Sequence, residues 1–296
     1  MTAGVLPGLR WGAVGVLAFS LTVPLTRIAA QAGLQPLLIG SGRAVVAAAL
    51  AALVLLVTGQ RPPVGRQWGR VAVVAGGVVV GFPLLTSYAL TQVSAAHGAV
   101  VIGLLPAATA GVAVLRGRER VGSSFWVAAG LGAAAVVVFA SVSGGGLGAP
   151  APADLLLLGA VLAAAVGYAE GGLLARELGA WQTVSWALVL AAPLMVLLTA
   201  VSALREPPVA TGPGWLAFAY LSLVSAYLGF FAWYRGLALG PMTAVSQVQL
   251  AQPVLSLAWA ALLLGERITW QTALGGLVVV LCARSAVRTR LTSRST

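Results

Sequence analysis

The chain has 296 residues, of which 60% are hydrophobic and 8% are charged, and its formal net charge is +11. A soluble domain of this length has too little interior to bury so much apolar surface, so the composition excludes a soluble protein and predicts a polytopic membrane protein. All 17 cations are arginines, and all but Arg27 and Arg43 are spread over short connecting segments, so the charge favours contact with anionic lipid over nucleic-acid binding.

Ten apolar runs follow one another along the chain, each of about twenty residues, which is the length of helix that crosses a hydrocarbon core of ~30 Å. The connectors between them are short, rich in glycine and proline, and too short for an extramembrane domain. The predicted spans are 11–31, 36–58, 71–92, 95–115, 122–142, 154–175, 182–203, 214–234, 240–263 and 269–287.

The arginines between the spans lie almost entirely on one side. If the N-terminus is cytoplasmic, thirteen arginines fall on inner segments and only Arg205 and Arg267 fall on outer segments. Because positive charge is enriched on the cytoplasmic side, this count predicts a cell-membrane protein with both termini in the cytoplasm, including a basic tail at 288–296.

The two halves of the chain repeat each other at a shift of 147 residues. Pro106 then falls on Pro253, and Glu119-Arg120 falls on Glu266-Arg267, so a proline within a span and a Glu-Arg at its end recur at one separation. Residues 1–143 and 154–287 hold five spans each, and an odd number of spans requires the halves to insert in opposite orientations. The predicted fold is all-α, with ten transmembrane helices in two inverted five-helix repeats, a layout typical of secondary transporters.

The repeated segments carry a family resemblance. LLPAATAGVAVLRGRERV at 104–121, echoed by AQPVLSLAWAALLLGERIT at 251–269, resembles the paired EamA domains of the drug/metabolite transporter superfamily. The resemblance implies a basket of helices around a central cavity lined by the first four helices of each half. It also implies export of amino acids or related metabolites, exchanged for protons. The Trp11-Gly12 pair stands at the start of the first span, whereas the family's equivalent pair is in the middle.

Breaks within spans are the strongest pointers to a transport site. Pro24 interrupts the hydrogen bonding of the first span, and the repeat maps it onto Gly171, which is followed by Gly172. We interpret these residues, together with Pro106 and Pro253, as hinges for two gates. The alternative is that the glycines only allow close helix packing.

Ionisable groups within spans are costly and therefore informative. Arg43 either ties neighbouring helices together or contacts substrate, and His97 is either an interfacial hydrogen-bonding group or a proton acceptor. Glu170, taken as the only carboxylate within a span, either carries a coupling proton or pairs with Arg176 or Arg235.

Amides and aromatic residues complete the predicted substrate site. Gln249 and Gln252 share one helix face that must point into the bundle. Tyr168 and Tyr227 are the tyrosines most expected in the cavity, and Tyr88 lies near His97. The predicted substrate-binding residues are Arg43, Tyr88, His97, Tyr168, Tyr227, Gln249 and Gln252, with Glu170 in proton coupling.

The sequence contains no Walker A loop, zinc-binding HExxH or nucleophile-elbow motif, so we expect no cofactor, no metal and no catalysis. The first hypothesis is a secondary-active exporter of small metabolites, in contact with the lipid bilayer, as a monomer or homodimer. The second is an intramembrane enzyme or an accessory membrane protein, and the missing catalytic constellation counts against it. A passive channel is a third possibility, which the inverted repeat disfavours.

Overall fold

The computed structural model describes residues 5–117, 151–239, 245 and 248–292, together with isolated positions between 123 and 138. The fifth predicted span at 122–142, the boundary between the predicted halves at 143–150 and most of residues 240–247 therefore lie outside the described residues. Within the described ranges the regular structure is helical and no strand occurs.

The first half contributes seven α-helices and one π-helical segment. They are α1 (Val5–Ser20), α2 (Thr22–Gln31), α3 (Pro36–Val57), α4 (Arg66–Val74), the first π segment (Ala75–Gly81), α5 (Phe82–Gln92), α6 (Ala95–Ile102) and α7 (Leu105–Gly117).

The second half repeats much of this order. Its elements are α8 (Pro152–Leu178), α9 (Ala180–Arg205), α10 (Gly212–Tyr220), the second π segment (Leu221–Leu228), α11 (Gly229–Leu239), a 3-10 turn (Gln249–Ala251), α12 (Gln252–Leu264) and α13 (Trp270–Thr292).

Several continuous helical stretches are long and apolar enough to cross a bilayer, which makes the protein a multi-pass membrane protein. Among the described residues six such stretches occur, and each of their ends lies within five residues of the predicted end. They are Leu6–Gln31, Pro36–Val57, Arg66–Gln92, Pro152–Leu178, Ala180–Arg205 and Gly212–Leu239. Shorter apolar helices cover Ala95–Thr109, Gln249–Leu264 and Trp270–Cys282.

Irregularities recur in the two halves at the shift of 147 residues. The first π segment, Ala75–Gly81, falls onto the second, Leu221–Leu228, with a difference of one residue at its start. The turn between α6 and α7 precedes Pro106, and the 3-10 turn precedes Pro253. Because proline donates no backbone hydrogen bond, the turn before it rearranges in both places.

Glycines bring the helices of the two halves into close contact. A Cβ on Gly15 would lie 3.0 Å from the backbone of Trp233, and one on Gly236 would lie 2.7 Å from the backbone nitrogen of Gly12. These contacts join α1 to α11. Gly77 in the first π segment packs in the same way against the backbone of α8 at Gly167. Small residues at such crossings allow dense packing in the bilayer, where no hydrophobic effect drives helices together.

Candidate functional site

A cavity lies where the break between α1 and α2 meets α3, α8, α12 and the two π segments. Its volume is about 30 Å³, which is room for about two water molecules. A metabolite therefore needs movement of the surrounding side chains or helices. The lining residues are Phe19, Thr22, Val23, Arg43, Val78, Phe82, Pro83, Ala164, Tyr168, Ser225, Ala226, Phe230 and Gln252.

Pro24 causes the break in the first helix, as the sequence predicted. The missing N–H of a proline leaves the carbonyl four residues earlier without its helical partner, and here that carbonyl belongs to Ser20. The Ser256 hydroxyl of α12 donates a hydrogen bond to it at 2.7 Å. The indole N–H of Trp259 also bonds the Ser20 hydroxyl at 3.0 Å, so α12 stabilises the broken helix from outside.

Two hydroxyls from different halves of the chain meet in the cavity wall. Thr22, at the start of α2, and Ser225, in the second π segment, are both buried, and their oxygens are 2.8 Å apart. The hydroxyl of Thr26 is also buried and bonds the Thr22 carbonyl at 2.7 Å. The polar side of the cavity therefore lies between the two repeats, beside an interrupted helix.

Arg43 is the charged residue of this lining and is 2% exposed. Its Nε and Nη1 atoms are buried and have no hydrogen-bond partner among the described residues. The sequence left open a structural tie to neighbouring carbonyls or a substrate contact. The described geometry gives these two nitrogens no such tie and places the side chain in the cavity wall.

The two predicted amides lie in different places. Gln252 lines the cavity, and its Oε1 has no partner within the described ranges. Gln249 is 1% exposed and lies in a neighbouring crevice, too narrow for a water molecule, where Pro106 and Pro253 also meet. This crevice brings together the two prolines that the sequence singled out as hinges.

Aromatic rings form one wall of the cavity. The Phe19 and Phe230 ring centres are 4.8 Å apart, and Tyr168 lies 6.2 Å from Phe19 and 5.8 Å from Trp233. Tyr168 is therefore a lining residue, as predicted from sequence. Tyr227 is 3% exposed and bonds the Ser185 hydroxyl at 3.0 Å, but it is not among the lining residues.

Tyr88 and His97 lie away from the cavity, in contrast to the predicted substrate contacts. Tyr88 is 41% exposed, whereas the adjacent Ser87 is buried, because neighbouring residues of a helix face different directions. His97 Nε2 is 2.6 Å from Asp154 Oδ1 at the start of α8. Asp154 is 2% exposed, so Glu170 is not the only carboxylate within a span, contrary to the sequence analysis.

Glu170 is also buried, but it is not a lining residue. Its carboxylate pairs with Arg70 of α4, which also pairs with Glu177. The partner seen here differs from the two that the sequence suggested: Arg176 is exposed, and the Arg235 guanidinium lies 4.8 Å above the Trp11 ring. Arg176 lies six residues after Glu170, so the helix turns it to a different face.

The predicted break at Gly171-Gly172 is wrong, because α8 runs unbroken from Pro152 to Leu178. A Cβ on Gly171 would collide with the ring of Tyr234, whose hydroxyl donates to the Gly167 carbonyl at 3.2 Å. Gly171 therefore serves close helix packing, which is the alternative that the sequence had left open.

Comparisons with known proteins identify a family of transporters. The EamA-like transporter family matches residues 6–141 and again residues 151–284. A Bacillus subtilis (strain 168) protein named "Uncharacterized transporter YdeK" is 43% identical over 277 residues, which cover 94% of this chain and 96% of the relative. A crystal structure at 20% identity superposes with a TM-score of 0.67 over 98% of this chain and 99% of that chain, which shows a shared fold.

Proposed function

Because this chain belongs to the EamA-like transporter family, we propose that it is a secondary transporter that moves a small metabolite through the central cavity by alternating access. The observation that carries the proposal is the cavity between the repeats, whose polar side is formed where Thr22 and Ser225 meet beside a broken helix. Interrupted helices at a repeat interface are where transporters of this layout bind substrate. Family membership favours this activity over the intramembrane enzyme.

The proposed topology has ten spans in two inverted halves, with both termini in the cytoplasm. Its support is the arginine count of thirteen to two, the two matches to one family and the recurrence of π segments and proline breaks at one shift. In this topology the His97–Asp154 pair lies near the outer face and the Arg70–Glu170 pair near the inner face.

The two ends of α8 provide candidate gates. At its start, Asp154 pairs with His97 of α6, and near its end, Glu170 and Glu177 pair with Arg70 of α4. Each contact joins the second half of the chain to the first. We propose that each access path opens when the ionic contact at its own end separates, and that the breaks at Pro24, Pro106 and Pro253 allow the helices to bend.

Glu170 is the proposed coupling group. Its carboxylate bonds Arg70 when ionised, and a proton that neutralises the carboxylate removes the attraction that holds this end together. Proton binding and gate opening are thereby linked, because a ligand shifts a conformational equilibrium through its preference for one state. The proposed direction is export of metabolites such as amino acids in exchange for protons.

Flux measurements in proteoliposomes test this function. Purified protein is reconstituted with a panel of internal amino acids and related metabolites, and efflux is followed under imposed pH and voltage gradients. We expect saturable efflux of at least one compound, faster when the outside is acidic. An ohmic conductance without saturation would indicate a channel, and no flux above that of protein-free liposomes would contradict transport.

A further inference from the structure

We propose that the cavity takes substrates with a carboxylate group and an apolar body, that Arg43 binds the carboxylate, and that an ammonium group is not required. This inference rests on the proposed function, because it takes the central cavity to be the transport path. It assigns the substrate class from the charge of the lining residues.

The charge of Arg43 has no acidic partner among the described residues. The sequence contains six acids, of which the structure describes five, and each of these five has a hydrogen bond or ion pair with a group other than Arg43. Asp154 pairs with His97, Glu170 and Glu177 with Arg70, Glu206 with Gln35, and Glu266 with the amides of Ala95 and Ala96. The sixth, Glu119, lies outside the described residues, directly between Arg118 and Arg120 in the sequence.

A buried guanidinium that has no acidic partner favours an anion as its ligand. Removing one charge from water is costly, and the cost is offset when an opposite charge arrives with good hydrogen-bond geometry. The planar guanidinium donates two parallel hydrogen bonds to a carboxylate. Arg43 already has two nitrogens without a described partner, facing the low-dielectric interior, so a carboxylate supplies both the charge and the acceptors.

The other lining residues determine the rest of the substrate. Phe19, Phe82, Tyr168 and Phe230 offer aromatic surface for an apolar body. Besides Arg43, the lining residues with polar groups are Thr22, Tyr168, Ser225 and Gln252, and none of them is acidic. An ammonium group therefore meets no carboxylate in the lining, and it gains no ion pair that would make it a requirement for binding.

Ligand-induced thermal stabilisation of the full-length protein in detergent tests this assignment near neutral pH. The ligands share one apolar body: 3-phenylpropionate, 3-phenylpropionamide, phenylalanine and phenethylamine. We expect the acid to stabilise the protein at concentrations at least about tenfold lower than the amide, and phenethylamine to give no shift, since charge-assisted bonds are about twice as strong as neutral ones. Phenylalanine should bind no more tightly than the acid.

Two variants of Arg43 and a matched control variant test whether Arg43 causes the preference for the acid over the amide. Arg43→Gln should abolish the preference for acid over amide, and Arg43→Lys should keep the preference with weaker binding, because it retains the charge and loses the planar fork. Arg27→Gln is the control: Arg27 is also an intramembrane arginine, but its Nη1 bonds the Leu90 carbonyl and it is not a lining residue. It should keep the preference of the wild type.

The outcomes separate this inference from the proposed function. Equal stabilisation by acid and amide, stabilisation by phenethylamine or no stabilisation by the acid overturns the carboxylate assignment. The same holds if Arg43→Gln keeps the preference for the acid. If saturable flux persists in the metabolite panel in any of these cases, only the substrate class is wrong. Absence of flux throughout contradicts the transporter itself.

Discussion

Arg70 bonds two carboxylates that differ mainly in burial. The Glu170 side chain is 4% exposed and the Glu177 side chain 47% exposed, so water screens the second pair far more than the first. A role in coupling protons to transport should therefore belong to Glu170. Glu177, which bonds the same arginine, provides the control residue.

Glu170→Gln should abolish the acceleration of efflux by external acid while substrate exchange without a pH gradient continues. The amide keeps the shape of the side chain and removes its negative charge. Glu177→Gln should retain the pH response. Both are measured by efflux from proteoliposomes, and a wild-type pH response in Glu170→Gln would reduce Glu170 to a structural ion-pair partner.

Gln249 and Gln252 of the ninth predicted span should respond differently to replacement by leucine. Gln252→Leu removes a polar group from the cavity wall and should lower transport by at least about tenfold while the thermal stability is retained. Gln249→Leu should raise the melting temperature and lower transport less, because a buried amide without described partners costs about 1–3 kcal/mol. A Gln249 variant that fails to fold would show that this amide ties helices together.

The residues that line the cavity were partly predictable from the sequence. Arg43, Gln252 and Tyr168 stood out because polar groups in a span need a cavity or a partner, and all three line the cavity. Partners were less predictable: Arg70 was missed because its contact depends on how α4 and α8 are rotated. Asp154 was missed because it stood at the very end of a predicted span, although its place in a helical first turn was a usable signal.

At the scale of helices, one hydrogen bond couples the break in the first span to α12. Pro24 leaves the Ser20 carbonyl without a helical donor, and Ser256 supplies one. Ser256→Ala should destabilise the protein by about 1–3 kcal/mol, because a buried acceptor is left unpaired.

In a Pro24→Ala background, Ser256→Ala should lower the stability of the protein much less. The alanine introduced at position 24 has a backbone N–H that can donate the missing helical hydrogen bond to the Ser20 carbonyl. Thermal unfolding of the two single variants and the double variant in detergent measures this coupling. Additive effects would mean that the two residues are independent.

Helix ends and proline breaks were predictable, whereas other helix irregularities were not. Breaks occur at Pro24 and just before Pro106 and Pro253, where the sequence singled out prolines, whereas Pro193 lies inside the unbroken helix α9. The two π segments went unpredicted because their valines, leucines and glycines equally suit an α-helix. The helix break predicted at Gly171 was wrong because glycine permits a break without causing one. Here the space next to Gly171 is filled by the ring of Tyr234.

At the scale of the whole molecule, the inverted repeat predicts opposite locations for equivalent arginines. Single cysteines at positions 118, 284 and 290 should react only with reagents on the cytoplasmic side, and cysteines at 266 and 267 only with reagents outside. The single natural cysteine, Cys282, is first replaced by serine. Finding positions 118 and 267 on one side of the membrane would end the inverted-repeat account.

The two matches to one family and the recurring helix irregularities describe a chain built from two copies of one unit around a shared cavity. Composition and span lengths made the membrane fold predictable. The small volume of the cavity was not predictable, since it depends on how aromatic rings and glycines from distant segments pack together.

Alternating access is the central claim, and the accessibility of a cysteine at the cavity residue Ser225 tests it most directly. Disulfides between cysteines introduced at 97 and 154, or at 70 and 177, replace the ionic contacts at the two ends of α8 and lock one end at a time. An impermeant thiol reagent is then added from either side of the membrane in the Cys282→Ser background.

Each disulfide should block labelling of position 225 from its own side and leave labelling from the opposite side. That result means that the cavity opens to one side at a time. Labelling from both sides with either disulfide formed, or from neither side in the unlocked protein, would contradict the account.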